Sequence, residues 1–165
     1  MVIWTAQRTV LIVGEGADEV AFLNHVKHLY VPRGCGLSVK IKNAQGKGAR
    51  HVVNWTARQM DIGVYDKVAA LLDTDADWSP AVNKTARERK IQVLTSEPCF
   101  EALMLRVLGE NPDSNASALK RQFAPFVNND ATQSRNYANH FSTERLQAGC
   151  LHEPTIKALL NLIKS

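Results

Sequence analysis

The sequence of 165 residues predicts an α/β fold, a Rossmann-like and mainly parallel sheet of about four strands flanked by helices. Three observations carry this. Val10 to Val13 and Val68 to Leu72 are wholly apolar, the composition of strands covered on both faces. Each run stops abruptly at its C-terminal tip, the first in Gly14-Glu15-Gly16 and the second in Asp73-Thr74-Asp75. Strand-like and helix-like stretches alternate along the chain, an order that closes a parallel sheet through right-handed crossovers.

The first strand, Val10 to Val13, leads into a helix with Val20, Leu23, Val26 and Tyr30 on one stripe, widened by Phe22 and Leu29. Pro32 and Gly34-Cys35-Gly36 turn the chain, and Leu37 to Ile41 alternates apolar with polar residues as a half-exposed second strand does. Asn43 to Gly48 reads as a loop, and His51 to Met60 as a helix ended by Asp61 to Gly63. The third strand is Val68 to Leu72. Pro80 opens a polar helix to about Arg89, and Ile91 to Leu94 is the fourth strand. Ser96 and Pro98 have the pattern of a helix cap and a first-turn proline, so the next helix is expected to start there and to stop at Gly109. Between Cys99 and Leu108 only Glu101 and Arg106 are charged, so this helix must be largely buried. Beyond it, Ala118 to Val127, Asn136 to Leu146 and Pro154 to Ile163 read as helices. Residues 1–110 thus form the core, and 111–165 a helical C-terminal extension packed on the same domain.

A chain of this length buries roughly 70% of the surface its unfolded form exposes, and needs no covalent staples. Its 45% hydrophobic and 22% charged residues are ordinary for a soluble domain. No apolar run approaches the roughly 20 residues of a membrane span, and no secretory pattern opens the chain, so a cytoplasmic protein without membrane contact is expected. The three cysteines, Cys35, Cys99 and Cys150, lie too far apart for a disulfide framework or a zinc site. Among the five histidines, His25 and His28 share a helix, but no further ligand completes a site, and both are expected on its solvent side. The formal charge of +4 suits a polyanionic partner. Basic residues cluster in Lys40 to Lys42, Lys47 to Arg50 and Lys84 to Lys90, so Lys42, Lys47, Arg50, Lys84 and Arg87 are the candidate nucleic-acid contacts.

The acids are grouped differently. Asp73 and Asp75 stand two apart at the end of an extended run, which places both side chains on one side of the sheet edge, roughly 7 Å apart. Glu15 and Glu19 lie four apart across a strand-to-helix turn and converge if the helix begins near Ala17. If the two strands are neighbours, four carboxylates meet. At about 6 Å and an effective dielectric near 20, each pair repels by roughly 3 kcal/mol, so the group demands cations or shared protons. Mg2+ or Mn2+ suits such hard oxygen ligands. Glu101, a carboxylate on an otherwise apolar helix, needs a positive partner, and a metal ion or an arginine would serve.

Three segments together resemble a known family. Glu15-Gly16-Ala17-Asp18-Glu19-Val20-Ala21-Phe22-Leu23 is similar to the E-G-x-[TS]-[ED]-x-x-[FY]-[FL] pattern of Toprim domains of the RloB-like branch, related to the OLD-type nucleases. Asp73-Thr74-Asp75 resembles the D-x-D of that family, and Pro98-Cys99-Phe100-Glu101 its P-C-F-E segment. Asp18 stands where the pattern has a hydroxyl residue. The resemblance implies a Mg2+-dependent nuclease, associated with phage defence or restriction loci and with a protein partner such as a defence-system ATPase. It implies two ions: Glu15 and Glu19 would hold one, Asp73 and Asp75 the other, with Glu101 in support. Glu15, Asp73 and Asp75 would then be catalytic. Lys47, between Gly46 and Gly48, is the candidate for stabilising charge on the transition state. Two rivals stand beside this reading. One is a Toprim-like subunit of a defence complex that binds metal or nucleic acid without cutting. The other is a haloacid-dehalogenase-like phosphotransferase, in which the first Asp of D-x-D would sit on the N-terminal strand.

Overall fold

The computed structural model describes residues 7–164. Four strands, β1 (Arg8–Gly14), β2 (Leu37–Asn43), β3 (Lys67–Asp73) and β4 (Ile91–Ser96), form one all-parallel sheet in the order β2-β1-β3-β4. Between the strands run α1 (Ala17–Tyr30), α2 (Gly48–Ile62) and α3 (Pro80–Glu88). After the sheet come α4 (Phe100–Val107), α5 (Ala116–Phe123), α6 (Thr143–Gly149) and α7 (Pro154–Ile163), with 3-10 turns at Ala124–Val127 and Ser134–Tyr137.

Strand periodicity sorts the side chains into two cores. Val10, Ile12, Ala69, Leu71 and Leu94 face the layer of α1, α4 and the C-terminal helices. Leu11, Val13, Val68, Ala70 and Leu72 face α2 and α3. The central strands β1 and β3 are therefore apolar on both faces, as their sequences require. The extension closes the first core: Tyr137 and Phe141 pack against Phe22 of α1, and Phe123 meets both of them and, edge-on, Phe100 of α4. Arg106 of α4 pairs with the buried Glu153 at 2.8 Å, and Thr155 donates to the carbonyl of Thr95 at 2.6 Å, so α7 is tied to both α4 and β4.

Several boundaries differ from the sequence reading. Ser96 is not a helix cap. Strand β4 continues two residues past Leu94 to include it, the Glu97-Pro98 bond is cis, and α4 begins at Phe100 with Cys99 as its N-cap. The segment Asn136 to Leu146 is not one helix. Its first part is a 3-10 turn, and Ser142, whose hydroxyl accepts from the Arg145 N–H at 3.2 Å, starts α6 afresh. Helix α2 begins at Gly48 rather than His51. His25 is buried, not solvated: its Nε2 lies 2.7 Å from the carbonyl of Phe141, and its ring stacks on Tyr137. His28 is exposed as expected.

This topology locates the functional edge. Helix α1 leaves β1 toward one face and α3 leaves β3 toward the other, yet β1 and β3 are neighbours. Their C-terminal ends therefore flank the switch point, the crevice where open α/β sheets bind ligands.

Candidate metal centre

Three carboxylates converge at that crevice. One oxygen from each of Glu15, Glu19 and Asp73 lies within 4.8 Å of the others. The backbone imposes this. Glu15 follows β1, and its N–H donates to Leu71 of β3 at 3.0 Å, which holds the β1 turn against the neighbouring strand. Glu19 sits in the first turn of α1, where its Oε2 accepts from the N–H of the N-cap residue Gly16 at 3.0 Å. Asp73 is the last residue of β3. Gly14 makes the close approach possible, since a Cβ there would stand 3.0 Å from Val20 Cγ2 and 3.1 Å from Glu19 Cβ.

Burial and mutual repulsion raise the pKa of all three carboxyls. Asp73 is pushed up to about 9, first by desolvation and then by the charges of Glu15, Glu19, Asp75 and Glu101. Glu19 is raised to about 7, again chiefly by burial, with its backbone hydrogen bonds opposing. Glu15 is shifted up by burial and by Asp75, while hydrogen bonding to Asp73 counteracts the shift. Carboxyls that retain protons at neutral pH for want of a counter-charge are poised to exchange them for a cation. The residues fit a divalent ion on two further grounds. Asp73 Oδ1 is buried and has no hydrogen-bond partner. The donor set is carboxylate oxygen throughout, the choice of Mg2+ and Mn2+.

The other acids take different places. Asp75 is exposed and lies outside the group of three, its N–H donating to Pro98 O at 3.0 Å, though its charge reaches both Glu15 and Asp73. Glu101, half-buried in the first turn of α4, is also outside the group but close enough to raise Asp73. It shares a cleft with Asp18, Lys120 and Asp130, floored by Phe123 and Val127. Asp18 thus lines this neighbouring cleft rather than the centre itself, with its carboxyl raised by burial and by Glu101 and drawn down by Lys120. Its charge still contributes to the upward shift of Glu19.

Of the basic candidates, Lys47 lies on the loop that touches the centre. Lys47 caps α2 in the left-handed conformation, and the adjoining Gly46 N–H donates to Glu15 O at 2.6 Å, so this loop rests on the β1 turn. Arg50 approaches Asp77 at 3.8 Å. Lys42 instead bonds Gln59 at 2.7 Å, and Lys84 pairs with Glu88 at 3.8 Å along α3. Arg87 occupies the last turn of α3, which runs back toward the far edge of the sheet.

Sequence reasoning missed Ser96 and Tyr137. Ser96 is fully buried and is the register partner of Asp73 on β4. Extending the fourth strand by one more period beyond Leu94 would have placed it on the same face. The Tyr137 hydroxyl lies 2.8 Å from Ala131 O and 3.3 Å from Asp18 O, joining the extension to the first turn of α1. No local pattern announces such a contact. Compared with protein-family models, curated proteins and solved structures, the chain matches none.

Proposed function

We propose that this chain is a Mg2+-dependent Toprim-type nuclease of the RloB-like kind, hydrolysing phosphodiester bonds of nucleic acid in phage defence or a restriction-associated system. The observation that supports it best is the convergence of Glu15, Glu19 and Asp73 at the switch point of a parallel sheet. When bound, a divalent cation supplies Lewis acidity and charge neutralisation for phosphodiester hydrolysis. Glu15, Glu19 and Asp73 hold it, and Asp75, exposed beside Asp73, is the residue left to serve a second ion. Glu101 and Asp75 deepen the negative field around Asp73. Lys47, on the loop against the β1 turn, and Arg50, further along α2, receive substrate phosphates, where their charge opposes that of the acids and keeps the strand in register. By the same resemblance, the protein partner is an ATPase of the same system, which co-purification from the native host tests. Among the described residues, no helix is long and apolar enough to cross a membrane.

The decisive assay compares wild type, Asp73→Ala and Glu15→Gln on single- and double-stranded DNA and on RNA, with magnesium and with chelator. Cleavage by wild type that requires magnesium and falls to background in both variants is the expected result. Equal cutting by all three proteins overturns the assignment. A second reading draws on the grouping of three rather than four carboxylates, a set sufficient for one ion. In that case the chain binds cation and nucleic acid without cutting, as a subunit of a defence complex. Magnesium-dependent retention of nucleic acid with no cleavage is its signature.

A further inference from the structure

Among the described residues, two buried side-chain oxygens lack a hydrogen-bond partner, Asp73 Oδ1 and Ser96 Oγ. They are adjacent. Asp73 and Ser96 are paired in register on β3 and β4, strands that lie about 4.8 Å apart in any sheet. Each follows by two residues a side chain of the same core, Leu71 before Asp73 and Leu94 before Ser96, so both project to the same face. Ser96 is completely enclosed. A hydroxyl left unpaired in such a place is destabilising, and an apolar residue of the same size would avoid that loss. The backbone here is closely specified: the N–H of Thr74 donates to Ser96 O at 3.1 Å and to Pro98 O at 3.1 Å. The end of β3, which carries Asp73, is thus fastened to the end of β4.

We propose that Ser96 is a positioning residue of the metal centre, its hydroxyl donating to Asp73 Oδ1 when the carboxylates hold a cation. This rests on the reading of Glu15, Glu19 and Asp73 as ligands. With Oδ1 engaged from below, the outer oxygen of Asp73 is the one presented to the ion, and the carboxylate is kept from rotating away. An ionised Asp73 also gains a donor that does not compete with the cation. Hydrogen-bond partners of metal ligands act in this way, and their loss lowers metal affinity about 10–100-fold.

Calorimetric titration of the full chain with Mn2+ tests the proposal, with Ser96→Ala, Asp73→Asn and the double variant alongside wild type, and with thermal melts of the metal-free proteins. Ser96→Ala is expected to lose about tenfold or more in Mn2+ affinity while its metal-free melting temperature stays level or rises, since it removes an unpaired hydroxyl. In the Asp73→Asn background the same change should have no further effect on Mn2+ binding. A hydroxyl with a packing role alone gives unchanged Mn2+ affinity in Ser96→Ala, and that result overturns the proposal while leaving the metal centre intact. Wild type that binds no Mn2+ overturns the metal reading itself, and this inference with it.

Discussion

Raising the pH should destabilise the metal-free protein, and magnesium should cancel the loss. Asp73 is held at about 9 against an ordinary 3.8, so from about pH 6.5 to 8.5 it keeps a proton in the native state that the unfolded chain has released. Glu19 does the same up to about 7. A carboxyl raised in this way contributes stability that is complete below its unfolded pKa and lost as pH climbs through the folded one. His25, buried and shifted downward, opposes the slope only near pH 6.5, where the unfolded imidazole still takes up a proton, and not over the rest of the window. One proton bound only by the native state is worth about 1.4 kcal/mol per pH unit. Over about two units, halved because Asp73 is partly exposed, this leaves roughly 1.5 kcal/mol. For a chain of this size that is a fall in Tm of roughly 3–6 °C. Cation binding requires the ionised carboxylates, so it strengthens as the protons leave. Thermal melts across the window, with and without MgCl2, should show a falling Tm without metal and a nearly level one with it. Asp73→Asn should lose the slope above about pH 7, where Glu19 no longer contributes, and the magnesium response with it. A metal-free Tm that rises with pH, or a magnesium response equal at both ends of the window, refutes the reasoning.

Three further outcomes are expected. Gly14→Ala places a methyl 3.1 Å from the backbone nitrogen of Val20, which cannot yield as a side-chain tip would. It should destabilise the fold by about 1–3 kcal/mol in urea titration and weaken Mn2+ binding by displacing Glu19, whereas intact Mn2+ affinity would show that the turn tolerates the shift. Arg106→Ala strands the buried carboxylate of Glu153 and should cost about 2–3 kcal/mol; a loss below about 0.5 kcal/mol, the range of an exposed pair, would contradict the role given to this contact. His25, whose pKa is lowered by burial, contributes stability that is lost as pH falls through its unfolded value near 6.5. Equilibrium unfolding in an acid series should show this limb in wild type and not in His25→Gln, and its survival in the variant would assign it to another group.

How far the sequence carries is clearest at the two apolar runs. Val10 to Val13 and Val68 to Leu72 have no polar face, so they could only be central strands, and the acids after them could only lie at one edge of the sheet. Glycine at 14 and 16 and the helical stripe of α1 likewise placed Glu15 and Glu19 in a strand-to-helix turn. By contrast, Ser96-Glu97-Pro98 carried a helix-start signal that the strand pairing of Asp73 with Ser96 overrode. His25 was set down as solvated because a helix alone does not reveal that a second layer, from Tyr137 and Phe141, will cover its outer side.

What the sequence determined by itself is therefore the class of fold and the chemistry available at its edge, because hydrophobic periodicity and turn residues act over a few positions. Which carboxylates meet was decided by tertiary structure. The order β2-β1-β3-β4 makes β1 and β3 neighbours, and the bond from Glu15 N–H to Leu71 O brings Glu15 to Asp73. After Asp73 the chain leaves the strand, so the alternation that was to align Asp75 with it no longer applies, and Asp75 is left exposed outside the group. The burial that raises Asp73 and Glu19, and the hydroxyl enclosed at the strand position paired with Asp73, arise from packing between elements. Desolvation and register are properties of the packed assembly, and no local pattern of residues encodes them.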